Sequence, residues 1–153
     1  MDKLIEQVID SAKDAIEKYG FNVTAVGTSP PFAYTSGLFA DDIPELLVSG
    51  LPNEVAHGVL TNIYDLAISG LELESGMQIS DVLGGGYKIM LLDIDSDKSE
   101  MNLTRRLYGK GFPALAVILP DKQHRWPWDK GVEDNYLRGQ EHVMSLVGDG
   151  NSH

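Results

Sequence analysis

The chain has 153 residues, of which 42% are hydrophobic, a composition that suits one folded domain and excludes a disordered chain. It has no cysteine, so disulfides, thiolate metal sites and cysteine nucleophiles are excluded. Its formal net charge of −11 disfavours direct binding to DNA or RNA, because the nucleic-acid backbone is itself negatively charged.

Apolar residues that recur every three or four positions predict helices, and alternating apolar residues predict strands. In chain order we expect a helix over 2–19, strands over 21–26, 32–36 and 45–49, a helix over 52–69, strands over 77–79 and 87–94, a helix over 97–108, a strand over 112–119 and a helix over 132–147. Strands and helices do not alternate strictly in this order. We therefore predict an α+β fold: a single domain over 1–147, with three to four helices packed on a mainly antiparallel sheet.

Several details of these elements are specific enough to check. Leu4 and Val8 belong to the expected apolar stripe of the first helix, and Val55 and Leu66 to that of the second. The third helix is expected to begin at a capping-box pattern, Asp97-Lys-Ser-Glu100. Residues 148–153 are expected to form a frayed tail.

The chain shows no apolar run near the ~20 residues of a membrane span and no secretory signal at its beginning. We therefore predict a cytoplasmic protein that does not enter a membrane. The histidines lack the spacing of metal ligands, and the glycines 84–86 lack the spacing of a phosphate-binding loop. We expect neither a metal ion nor a cofactor.

Between Lys18 and Lys88 the chain contains acidic residues but no Lys or Arg. The acids are Asp41, Asp42, Glu45, Glu54, Asp65, Glu72, Glu74 and Asp81. Such a distribution is typical of a solvated surface that keeps a protein soluble. The alternative is an acidic face that docks onto a basic partner.

Both tryptophans lie in the segment 120–128, where Pro127 separates Trp126 from Trp128. Two indoles held by a proline either cover the edge of the core or line a binding site. His124 in the same segment is either a surface histidine or, with Asp121 as its orienting carboxylate, a general base.

A second group of candidate residues lies elsewhere in the chain. Tyr34 and Thr35 bring hydroxyl groups to the end of a predicted strand, without a nucleophile motif around them. Arg105 and Arg106, with Tyr108, form the densest cationic patch, suited either to an anionic ligand or to pairing with the chain's own acids.

The order of several short blocks resembles the bacterial and phage domain-of-unknown-function family DUF4262. The blocks are Tyr19-Gly20, Phe32–Leu38, Pro44–Gly50, Phe112-Pro113, Pro120-Asp121 and Trp126–Trp128, and they span about residues 16–128. The resemblance implies a compact single domain without an established activity, so it transfers no catalytic residue. Occurrence in phage implies a part in host–phage conflict. This chain departs from the family where an apolar strand, Ala114–Ile118, follows Phe-Pro in place of a polar one.

The leading hypothesis is a non-enzymatic binding module for a protein partner or for a small ligand, anionic or nucleotide-like. Its cleft is expected between residues 34–38 and the segment 120–128, with Arg105 or Arg106 at the rim. The candidate binding residues are Tyr34, Thr35, Arg105, Arg106, Tyr108, His124, Trp126 and Trp128. The alternatives are a small hydrolase or transferase that uses His124 with Asp121, and an acidic decoy that occupies a basic partner surface. A homodimer is compatible with all three.

Overall fold

The computed structural model describes residues 2–147 and shows, within them, four α-helices packed on one six-stranded sheet. The elements are α1 (Asp2–Tyr19), β1 (Asn22–Val26), β2 (Phe32–Ser36), β3 (Glu45–Ser49), α2 (Asn53–Ile68), β4 (Gln78–Ser80), β5 (Lys88–Ile94), α3 (Asn102–Tyr108), β6 (Ala114–Ile118) and α4 (Asp134–Met144). The predicted α+β fold is confirmed. The predicted tail, 148–153, lies outside the described residues.

The strands follow the order β1-β2-β3-β6-β5-β4 across the sheet, and every neighbouring pair is antiparallel except β3 with β6. Because β2 runs against β3 while β6 runs along it, the end of β2 lies beside the beginnings of β3 and β6. The end of β6 lies at the opposite end of the sheet. This arrangement separates the segments that follow β2 and β6 in the chain.

The two faces of the sheet carry separate parts of the core. On one face, α2 packs through Ala56, Val59, Leu60 and Ile63. On the other face, α1, α3 and α4 contribute Ala12, Leu103 and Val143 to a second cluster. Strands β2, β3 and β6 are therefore buried on both sides, which accounts for the apolar sequence Ala114–Ile118 of β6.

The predicted beginning of the third helix is wrong. Residues Ser96–Lys98 form a short 3-10 turn, and α3 starts at Asn102. The reason is local: the side chain of Asp95 accepts the amide hydrogen of Asp97 at 3.0 Å, which closes a turn there. Asp97 itself accepts a hydrogen bond from the amide of Gly111 at 2.9 Å and caps no helix.

The predicted apolar stripes are too long. Val55 and Leu66 of α2 are 44% and 36% exposed, and Leu4 and Val8 of α1 are 64% and 53% exposed. In α1 the contacts with the second core cluster begin at Ile9 and Ala12, so the first two turns extend beyond the packed part of the sheet. Within residues 2–147, no helix combines the length and the hydropathy that crossing a membrane requires.

Candidate ligand-binding groove

A groove of about 710 Å³ lies on the sheet between α1 and α3. Thr24 of β1 and Tyr34 of β2, which are register partners, form its floor. The α1 wall consists of Leu4, Ile5, Val8 and Ile9, and the α3 wall of Asn102, Leu103, Arg105 and Arg106. One wall is thus apolar and the other carries two guanidinium groups.

The two arginines of this wall differ in their partners. Arg105 donates hydrogen bonds to the carbonyl oxygens of Ser96 and Ser99, both at 2.9 Å, and to the side-chain oxygen of Asn102 at 2.8 Å. Arg105 therefore holds the turn before α3 in place. Arg106 is exposed, and within residues 2–147 its guanidinium has neither a hydrogen-bond partner nor an ion-pair partner.

Tyr34 links the floor of the groove to α3. Its hydroxyl oxygen accepts a hydrogen bond from the amide of Leu103 at 3.1 Å. The hydroxyl hydrogen has no acceptor among the described residues. Although Tyr34 is only 3% exposed, it therefore has a hydrogen available to donate.

Thr35, the next residue, belongs to a different polar cluster and is fully buried. Its hydroxyl donates to Oε1 of Glu45 at 2.7 Å and accepts from the amide of Leu46 at 2.9 Å. Both bonds are within the sheet, so the hydroxyl of Thr35 is committed to the fold. The neighbouring Ser36 makes a 2.8 Å hydrogen bond with Thr104 of α3.

Glu45 is the centre of this buried cluster. Its carboxylate accepts hydrogen bonds from three successive backbone amides, those of Gly37 at 3.0 Å, Leu38 at 3.3 Å and Phe39 at 3.2 Å. The amides converge because the chain turns sharply at Gly37, whose φ is 118° and where a Cβ would come within 3.0 Å of Ile16 and the carbonyl of Gly20. Burial raises the pKa of Glu45, and the hydrogen bonds from Thr35 and the three amides oppose that rise.

Glu45 was expected among the surface acids, and that expectation is wrong for this one residue. The other seven acids between Lys18 and Lys88 are exposed. A sequence signal for the burial of Glu45 existed, since it follows a proline directly and precedes three apolar residues of the strand Glu45–Ser49.

Tyr108 lies next to the Glu45 cluster. Its ring packs against that of Phe39, with centroids 5.5 Å apart and the rings tilted by 57°. Burial raises the pKa of Tyr108, and the carboxylates of Glu45 and Asp41 add to this effect. The groove described above is not lined by Tyr108 or Thr35.

In the loop of residues 120–128, Asp121 organises the backbone. Its carboxylate accepts from the amides of Gln123 at 2.9 Å and Arg125 at 2.8 Å, and from Nε of Arg125 at 2.8 Å. Burial raises the pKa of Asp121, but the hydrogen bonds from Arg125 and Gln123 outweigh it and hold the pKa below its ordinary value. The carboxylate is thus an ionised structural group of the loop.

The ring of His124 does not bond to this carboxylate. It stacks on Tyr87, with centroids 4.5 Å apart, and the residue has a left-handed backbone with φ of 62°. The backbone amide of His124 donates to the carbonyl of Asp121 at 3.0 Å, as in a tight turn. The geometry therefore contains no oriented His–Asp pair at these two residues.

Trp126 and Trp128 stack on each other with centroids 6.1 Å apart. Trp126 is partly buried against the second core cluster, while Trp128 is 51% exposed. The amide of Trp126 donates to Asp129 at 2.7 Å, which closes the turn between the two indoles. Trp126 therefore covers the core, and Trp128 covers Trp126.

The structure thus brings together Tyr34, Arg105 and Arg106, but it does not bring the loop of residues 120–128 to them. The groove is lined by α1, α3 and the middle of β1 and β2, and no residue of the loop, which follows β6, is among its lining residues. The single cleft expected between residues 34–38 and 120–128 is not formed. Sequence reasoning missed the α1 wall because its residues have the same spacing as core residues.

Within the described part of the chain, no three His, Asp or Glu side chains converge to hold a metal ion. No curated protein and no solved structure matches the chain. A family model does match, over residues 15–133, a range that includes the groove floor, the α3 wall and the loop of residues 120–128 but not Leu4–Ile9 of the α1 wall. The chain therefore belongs to the family described as Domain of unknown function (DUF4262), as its sequence blocks predicted.

Proposed function

We propose that the chain is a binding module that holds a small ligand, with an apolar body and one anionic group, in the groove between α1 and α3. The observation that carries this proposal is the unpaired Arg106 at the rim of an apolar groove. In a chain with a net charge of −11, acidic partners for an arginine are plentiful. An exposed guanidinium that has none is available to an external anion.

The groove has the properties of a small-molecule site. Its volume of about 710 Å³ falls within the range of about 300–1,000 Å³ that is usual for ligand pockets. A ligand that covered Leu4 and Val8 would remove apolar surface from water, which stabilises a complex by about 25 cal/mol per Å². The apolar wall therefore supplies affinity, while the polar groups fix the orientation.

The polar groups of the groove would bind the anionic end of a ligand and so fix its orientation. Arg106 offers paired N–H donors to a carboxylate, sulfonate or phosphate, and charge-assisted bonds of this kind are the stronger class. Tyr34 offers one further donor at the floor. Arg105 keeps its position through Ser96 and Ser99 and so fixes the wall from which Arg106 projects.

Native mass spectrometry of the freshly purified protein tests whether a small molecule is retained. Titration calorimetry with laurate, a chain carboxylate, tests the proposed chemistry directly. Arg106→Gln should weaken laurate binding about 10- to 100-fold, which corresponds to the loss of about 1.5–3 kcal/mol for a hydrogen bond to a charged group. The same variant should leave the binding of dodecanol, which lacks the charge, unchanged.

Arg138→Gln is the matched control, because Arg138 is an exposed arginine of α4 that bonds to Asn135 at 2.7 Å. It should bind laurate as the wild type does. Equal weakening by both substitutions would point to a general charge effect. Equal laurate affinity in Arg106→Gln and the wild type, or no binding to the wild type, would overturn the proposal.

The enzyme alternative has no comparable support. The carboxylate of Asp121 is occupied by Arg125 and by loop amides, and the ring of His124 stacks on Tyr87 without a hydrogen bond to that carboxylate. A general base needs an accessible ring nitrogen and a carboxylate or carbonyl that orients it. The Asp121 carboxylate does not orient His124 in this way, so the binding module remains the better proposal.

A further inference from the structure

Strand β1 forms one edge of the sheet, and its outer side is open. Within residues 2–147 it pairs with β2 alone, and no turn or loop forms a backbone hydrogen bond with it. Its five residues are partly or fully accessible, whereas those of β2 are all buried. Such an edge presents backbone amides and carbonyls to any strand that approaches it.

The edge at β1 lacks the features that usually block pairing. The sequence Asn22–Val26 has no charged residue and no proline, and its register with β2 is unbroken over five pairs, without a bulge. The opposite edge, β4, has only three residues. Native sheets protect their edges by shortness, charge, proline or bulges, and only β4 is protected in one of these ways.

The charge distribution favours β1 as the place where two copies of the chain meet. No charged residue occurs between Lys18 and Asp41, a segment that contains β1 and β2. Elsewhere the chain is strongly acidic, so two copies that met there would bring like charges together. The two β1 strands themselves carry no charge, so the strand pairing brings no like charges into register.

We propose that two copies pair antiparallel through β1 about a twofold axis, which joins two six-stranded sheets into one continuous sheet. With the axis at Thr24, Thr24 faces its own copy, and Val23 faces Ala25 of the second copy. The first contact pairs two hydroxyl side chains and the second pairs two apolar ones, and both are favourable cross-strand pairs. The interface is therefore self-complementary, as a twofold interface must be.

The position of Tyr19 agrees with this arrangement. It is 71% exposed and lines a cleft together with Asn22 and Val23, at the beginning of the open edge. In an antiparallel pair the end of β1 from the second copy lies next to this position. The second copy would then cover an aromatic side chain that one copy leaves in water.

Sedimentation equilibrium and native mass spectrometry test this inference, which does not depend on a ligand in the groove. At about 100 µM the wild type should be mostly dimeric if the dissociation constant is about 10 µM or lower. Ala25→Lys should weaken the dimer at least about 10-fold, because Ala25 and its copy are diagonal neighbours on one face of the pairing. Ala25 is already exposed, so the substitution does not disturb the core.

A mixture of Ala25→Lys and Ala25→Glu separates loss of pairing from loss of folding. Each variant alone should be less dimeric than the wild type at the same concentration, and the mixture should form a heterodimer, because opposite charges then lie on diagonal neighbours of the pairing. Ser80→Lys, on the other edge, is the matched control and should remain dimeric. A monomeric wild type, a dimer that Ala25→Lys leaves intact, or a mixture that stays monomeric would each overturn the proposal.

Discussion

The groove between α1 and α3 and the loop of residues 120–128 both carry aromatic and charged side chains, but they differ in whether those groups have partners. In the loop, Asp121 bonds to Arg125 and to backbone amides, and Trp126 stacks on Trp128. In the groove, Arg106 has no partner among the described residues, and the apolar wall of α1 is exposed. A cluster of unusual residues in a sequence indicates that the segment adopts one defined conformation. Ligand binding requires, in addition, polar or apolar groups that have no partner within the folded protein.

The largest expected effect concerns Glu45. Both oxygens of its carboxylate accept hydrogen bonds, as those of Asp121 in the loop do. Glu45→Ala would leave two buried amides, one part-buried amide and the hydroxyl of Thr35 without an acceptor, so we expect a loss of about 3 kcal/mol or more in the free energy of unfolding. Urea denaturation measures it. Glu45→Gln keeps one carbonyl acceptor and should lose about 1–2 kcal/mol.

Folded Glu45→Gln protein should bind laurate as the wild type does, because the carboxylate serves the turn at Gly37 and does not line the groove. A Glu45→Ala variant within about 0.5 kcal/mol of the wild type would mean that the cluster contributes little to folding. Loss of laurate binding in stable Glu45→Gln would extend the binding site to the cluster.

A smaller effect is expected for the two tryptophans. Trp126→Ala removes an indole that is partly buried against the core, and it should cost about 2–3 kcal/mol, somewhat less than a fully buried tryptophan. Trp128→Ala removes an indole that is 51% exposed and should cost about 1 kcal/mol or less. Urea denaturation of both variants measures the two losses in the free energy of unfolding and so gives their ratio.

Both tryptophan variants should retain the laurate affinity of the wild type, since neither tryptophan lines the groove. This result would support the contrast between the two regions. If Trp128→Ala stayed stable yet lost laurate, the contrast would fail, and the exposed indole would belong to a binding site.

Much of the fold was predictable because its signals are local. Helix and strand periodicities located the elements to within a few residues, and proline and glycine marked their ends. The start of α3 was missed because the Asp97–Glu100 pattern fits a helix cap in isolation. In the folded chain Asp95 accepts the amide hydrogen of Asp97 and closes a turn there, and the carboxylate of Asp97 bonds to the backbone amide of Gly111, which is distant in the sequence.

The candidate site was predictable only in part. The types of residue at Tyr34 and Arg106 were sufficient to select them, and the fold places both at one groove. The assignment of the 120–128 loop to the same cleft could not be tested on sequence, because it depends on the direction of β6 relative to β2. The apolar wall of α1 could not be recognised either, since spacing does not show which turns of a helix extend past the sheet.

The smallest expected effect concerns His142. One of its ring nitrogens has a polar neighbour, as the side chains of the loop do, and the other has none, as for the guanidinium of Arg106. Its ring stacks on Phe32 with centroids 4.1 Å apart, Nδ1 lies 3.9 Å from Glu100, and the buried Nε2 has no partner among the described residues. Burial lowers the pKa of His142, and the carboxylate of Glu100 opposes this only in part.

Because this pKa is lowered on folding, the folded chain holds fewer protons than the unfolded chain below the ordinary histidine pKa of about 6.5. The contribution of His142 to stability is therefore fully present above that value and is lost as the pH falls through the lowered pKa. We expect a decrease below about 1 kcal/mol, since the ring is partly solvated. Urea midpoints measured between about pH 8 and pH 5 should show this decrease.

His142→Phe keeps the stack on Phe32 and should flatten the decrease, while Glu100→Gln should steepen it. His57→Gln, on the exposed side of α2, should leave the profile as it is, and a His142→Phe profile equal to that of the wild type would assign the decrease to other groups.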